Sequence, residues 1–153
     1  MWPYLSTYFS RGADADTELS CLAYALAQFP ARAFRSISLC FSRYNLVHAE
    51  TLTDLLAALV PIQCANLTIT GRLTGEHHID VLMPPLFTPT GMAWNLTSLT
   101  IEGNLNYTPF RPLLFGVSQL LEDLMLRSLE ATSTIHLWKT LLNTTTFPKL
   151  RSF

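Results

Sequence analysis

The chain has 153 residues, 49 % of them apolar and only 14 % charged, with a formal net charge of −1. That length supports one domain with a core of its own. A near-neutral balance, with Lys and Arg scattered singly, excludes the electrostatic footprint of a nucleic-acid binder and the polybasic patch of a membrane-surface protein.

A charged fraction well below the roughly 25 % of an average soluble protein implies a surface that partly meets a partner or further structure. The longest uncharged stretch, Val81 to Ile101, carries Pro84, Pro85, Pro89 and Asn95 and does not read as a membrane span. Met1 to Arg11 is rich in aromatic residues and lacks the basic and apolar regions of a secretory signal. Cys21, Cys40 and Cys64 form an odd set without CxxC spacing, which suits the reducing cytoplasm or nucleus.

In chain order, residues 1–15 are expected to be an N-terminal extension and residues 16–153 a single domain. Leu19, Leu22, Ala23 and Leu26 have the i, i+3, i+4, i+7 spacing of an amphipathic helix. Phe34-Arg-Ser-Ile37-Ser-Leu39 then alternates as a half-buried strand. The helical stripe returns at Leu52, Leu55, Leu56 and Leu59, and the strand pattern at Cys64-Ala-Asn-Leu67-Thr-Ile69. A third helix over Ile79, Leu82, Met83 and Leu86 is broken or shortened by Pro84 and Pro85.

Leu96-Thr-Ser-Leu99-Thr-Ile101 is the next strand. Thr108-Pro109 then caps a helix carrying Phe110, Leu113, Leu114 and Val117. Leu121-Glu-Asp-Leu124-Met-Leu126 follows, then a weaker helix with Ile135, Trp138 and Leu142. A fifth strand signature begins at Leu150-Arg-Ser-Phe153.

The second apolar positions, Ile37, Leu67, Leu99, Leu124 and Phe153, recur roughly every 30 residues. Helix and strand alternating at a fixed period predict an α/β solenoid with a parallel curved sheet and right-handed crossovers. The last signature stops partway, so the domain is expected to end mid-repeat, as a truncated or mis-bounded copy. Self-association through the Leu150–Phe153 edge is then expected.

Leu96-Thr-Ser-Leu99-Thr-Ile101-Glu-Gly-Asn104 resembles the leucine-rich-repeat consensus through its asparagine position, where the other units have Ser42, Arg72 and Leu129. Units of this length and irregularity resemble the region after the F-box in fungal F-box proteins, most of all from Leu96 to Phe153. The resemblance implies a protein-interaction scaffold, the substrate-recognition region of an F-box-type ubiquitin-ligase adaptor, that performs no chemistry on what it binds. No F-box through which the ligase's linker subunit would dock is recognisable.

In such a fold the polar strand positions form the concave face. That face would carry Arg35, Ser36 and Ser38, then Asn66, Thr68 and Thr70, then Thr97, Ser98, Thr100 and Glu102, and last Glu122, Asp123, Met125 and Arg127. Arg35, Glu102, Glu122, Asp123 and Arg127 are the candidate contacts to an unknown protein partner; a solvated strand face would carry charge equally well.

Glu76-His77-His78-Ile79-Asp80 gathers metal-capable side chains, but adjacent histidines diverge and no further ligand follows, so it reads as a polar loop. No nucleophile elbow, phosphate loop or catalytic carboxylate pair is present, and neither enzyme activity nor a cofactor is expected. His48 and His136 read as structural residues. Sequons at Asn66, Asn95, Asn106 and Asn143 would become glycan sites only in the rival reading, a secreted leucine-rich-repeat glycoprotein. A non-functional fragment is the other alternative.

Overall fold

The computed structural model describes residues 2–9, 14–41, 49–71, 94–103, 114, 116–127 and 147–152. These form strands β1 (Trp2–Phe9), β2 (Phe34–Phe41), β3 (Asn66–Thr70), β4 (Ser98–Glu102) and β5 (Asp123–Arg127), with helices α1 (Ala15–Leu26) and α2 (Ala49–Leu59). All strands are parallel, in the spatial order β1-β2-β3-β4-β5. The protein is therefore α/β with an open sheet, and its strand order nowhere reverses as it does in a doubly wound sheet.

Register is the same at every step. Leu5 pairs with Ile37, Ile37 with Leu67, Leu67 with Leu99, and Leu99 with Leu124. Ile37, Leu67, Leu99 and Leu124 are the residues aligned by the sequence repeat, and all four are buried. Ser152 bridges to Asp123 in parallel, continuing the pattern one step further.

Trp2–Phe9 corrects the expected boundary at residue 15. This segment is the first strand of the sheet, not an extension outside it. It hides in the sequence because Thr7 occupies the third apolar position, opposite Leu39.

α1 begins at Asp14, whose Oδ1 accepts from the Thr17 amide at 3.3 Å while Thr17 Oγ1 donates to Oδ2 at 2.7 Å. Asp16 and Glu18 in the first turn complement the helix dipole. Its stripe buries Leu19 and Leu26 fully and packs Leu22 and Ala23 at the core edge; α2 buries Leu52, Leu55, Leu56 and Leu59. The two helices pack on one another. Their buried leucines belong to one cluster with Ile37, Leu39, Leu67, Ile69, Leu99 and Ile101. That shared cluster places both helices on one side of the sheet.

Leu114 and residues 116–117 are helical, and Leu114 and Val117 are buried, as their spacing predicts. The stripes over Ile79–Leu86 and Ile135–Leu142, the Thr108–Pro109 cap and the Glu76–Asp80 segment lie outside the described residues.

Two rows fix the ends of the strands. At the entry, the carbonyl of Arg35 accepts from Ala65 (2.9 Å), that of Ala65 from Thr97 (2.9 Å), that of Thr97 from Glu122 (2.8 Å), and that of Glu122 from Arg151 (2.7 Å). At the exit, the rings of Phe9 and Phe41 stack with centroids 4.7 Å apart, and Gly71 and Gly103 continue the row. Both glycines have φ in the left-handed region, +123° and +114°. A β-carbon on Gly71 would run into the Phe41 carbonyl, and one on Gly103 into the Gly71 carbonyl. Only glycine lets the exit backbones pack this closely.

Candidate functional site

Alternation along each strand sends one set of side chains into the helix-side core and the other to the opposite face. In β2, Ile37, Leu39 and Phe41 are buried while Ser36, Ser38 and Cys40 are half-exposed, and β3 and β4 repeat this. Constant register turns the outward residues into three rows. Tyr4, Ser36, Asn66, Ser98 and Asp123 form the first; Ser6, Ser38, Thr68, Thr100 and Met125 the second. Tyr8, Cys40, Thr70, Glu102 and Arg127 form the third. The field measures about 19 Å across the strands and about 13 Å along them.

Its chemistry changes from flank to flank. β1 presents Tyr4 and Tyr8, 57 % and 66 % exposed. The middle strands present mostly small hydroxyls, with Asn66 Nδ2 donating to Ser36 Oγ at 2.9 Å. β5 presents an acid, a thioether and a base, and Met125 is 39 % exposed. Glu102 is the register partner of Arg127, so opposite charges neighbour one another at the strand exits. No described element lies on this face.

The five expected contact residues separate into two sets. Glu102, Asp123 and Arg127 lie together on the outward face of β4 and β5. Arg35 and Glu122 belong to the entry row instead, as does Thr97, and Arg35 stands three strands away from Glu122. Half-exposed Glu122 pairs with exposed Arg151 at 3.7 Å, a contact worth under about 1 kcal/mol. Tyr4, Ser6 and Tyr8 join these rows through the pairing of β1 with β2, because Thr7 interrupts the apolar alternation that would mark the strand.

Other places offer less. An open depression of about 450 Å³ on α1 is lined by Asp16, Thr17, Ser20, Cys21 and Tyr24. All five come from one helix, so no groups converge on it. Among the described residues no group of three or more His, Cys, Asp or Glu side chains could hold a metal ion. Nor is any helix among them long and apolar enough to cross a membrane. Cys64 is fully buried, and burial pushes its thiol up to about 12, so it stays protonated and unreactive.

Two sequons fall on described residues, and they differ at the acceptor: Asn66 is held in β3, whereas Asn95 is exposed ahead of β4. The Asn66 side chain is bonded to Ser36, and in the second Leu96 is buried while Thr97 Oγ1 donates to the Ala65 carbonyl. Asn106 and Asn143 lie outside the described residues. No family model matches this chain, and no curated protein or solved structure gives a significant match to it.

Proposed function

We propose that the chain is a protein-binding scaffold of the leucine-rich-repeat-like solenoid type, and not an enzyme, with the outward sheet face as its contact surface. One observation carries this reading: a parallel sheet in constant register whose helix side is core and whose other side is a field of polar and aromatic groups that no described element covers. A closed α/β barrel has the same strand order but fills its interior with bulky branched side chains. Ser38, Thr68 and Thr100 are too small and too polar for that. A doubly wound sheet would be apolar on both faces. A one-sided stack needs apolar residues on the helix side only, and this chain has that pattern.

The narrower reading is the substrate-recognition region of an F-box-type ubiquitin-ligase adaptor, acting in the cytoplasm or nucleus. It is supported by the leucine-rich-repeat texture of Leu96–Ile101 and by the constant register of the units. Binding would then rest on shape and side-chain complementarity, with aromatic anchors at Tyr4 and Tyr8. The engagement of the Asn66 side chain within the sheet speaks against the rival secreted glycoprotein at that sequon, while the exposed Asn95 does not.

A photo-crosslinking residue at Thr68 or Thr100, compared with one at Ala25 on the exposed side of α1, tests the scaffold reading. Discrete adducts with another protein from the two sheet positions, absent from Ala25, are expected. Identical adducts from all three, or none from Thr68 and Thr100, would count against it. Co-purification of ligase subunits with the adducts tests the narrower reading separately.

A further inference from the structure

The outward residues of β5 read Asp123, Met125, Arg127: an acid, an apolar side chain and a base at every second position. Reversed, this stripe is its own complement. An antiparallel copy laid over it sets Asp123 against Arg127, Met125 against Met125, and Arg127 against Asp123. The rest of the field obeys the same symmetry. A two-fold axis lying between two such sheets, perpendicular to the strands, stacks each strand on its own copy with the direction reversed. The first row then faces the third, and the middle row faces itself. Tyr4 falls opposite Tyr8, Ser98 opposite Glu102, and Thr68 opposite Thr68.

We propose that this face binds a second copy of the chain, as a face-to-face two-fold dimer held at its β5 flank by reciprocal Asp123–Arg127 pairs. The inference rests on the reading of the face as an interaction surface and names its occupant. Charge complementarity is the reason to prefer a second copy: the pattern the stripe requires of a partner is the one the stripe itself supplies. Self-complementarity of a single patch is the condition for a closed two-fold contact.

Dimensions agree with it. Facing sheets stand about 10 Å apart, a gap bridged by a long arginine meeting a short aspartate, or by two methionines end to end. Tyr4 against Tyr8 spans the same gap at the β1 flank. Between the flanks, Ser38, Thr68 and Thr100 are short and leave room for bridging water. The field covers about 250 Å² on each copy, well below the roughly 800 Å² per partner of a standard specific complex, so the dimer is weak and transient, with a dissociation constant on the order of 100 μM or above.

Equilibrium sedimentation over two decades of protein concentration tests the proposal, on wild type and on three charge variants. Each substitution occurs twice in a symmetric dimer. Asp123→Arg alone, or Arg127→Asp alone, therefore turns two attractive pairs into two repulsive ones and should weaken self-association at least about tenfold. The double variant D123R/R127D restores both pairs and should dimerise like wild type. An equimolar mixture of the two single variants should form a heterodimer that neither forms by itself, which also shows that each variant is folded.

A wild type that stays monomeric throughout overturns the proposal. Single variants that dimerise like wild type overturn it and would indicate a contact in which β5 faces β1; a mixture that does not associate overturns it as well. None of these outcomes touches the scaffold reading, which the adducts with other proteins at Thr68 and Thr100 decide independently.

Discussion

The indole Nε1 of Trp94 donates to the backbone carbonyl of Cys64 across 3.2 Å, joining the entry of β4 to the entry of β3 inside the core. Trp94 is 2 % exposed, and Cys64 stands in the same position of its unit as Phe34, Leu96 and Leu121 do in theirs. Replacing Trp94 by Phe keeps most of the apolar area and removes the donor. The buried carbonyl loses a partner, which costs about 1–3 kcal/mol. Urea denaturation should show the midpoint fall with little change in slope; an unchanged midpoint would mean that the bond contributes nothing.

Cys64 makes a second prediction, through pH. Its thiol titrates near 9 in the unfolded chain and near 12 when folded, because burial penalises the thiolate. The folded state therefore holds this proton more tightly. The stabilisation is complete below about pH 9 and is lost as pH rises towards about 12. Wild type should lose more stability than Cys64→Ala over that alkaline range, measured by denaturant titration at paired pH values. In native protein at neutral pH, a thiol reagent should modify exposed Cys21 at once and Cys64 only on unfolding.

The glycine row predicts a third effect. Gly71 and Gly103 combine a left-handed φ with backbone contact across the strands, so Ala at either brings both strain and overlap. Each substitution should cost more than about 3 kcal/mol, visible as a large drop in thermal midpoint. Tolerance of Ala at both positions would contradict the close packing of the strand exits.

Much of this was legible because the core demands it. Ile37, Leu67, Leu99 and Leu124 must all point at the helices, so their spacing carried the register before any coordinates did. β1 escaped because Thr7 breaks its apolar run, and its membership rests on pairing with β2, which no local pattern expresses. Arg35 and Glu122 flank the alternating positions, so the sequence alone places them on the polar face. Phe34 and Ile37 are both buried, however, although their three-residue spacing breaks strict alternation, so the strand changes parity at its entry and carries Arg35 to the rim. The glycine row was invisible for a related reason: close approach between backbones 32 residues apart leaves no trace near either one.

Thr68 and Ile69 are neighbours in β3 and face opposite sides of the sheet, and replacing each by Arg is the most direct test of a sheet with one buried face and one open one. Thr68→Arg should leave stability within about 1 kcal/mol of wild type, since the long side chain can extend into solvent. Ile69→Arg buries an unpaired charge and should abolish folding. Equal and severe destabilisation by both would show that the polar face is covered, and would contradict the account of that face as the surface that binds.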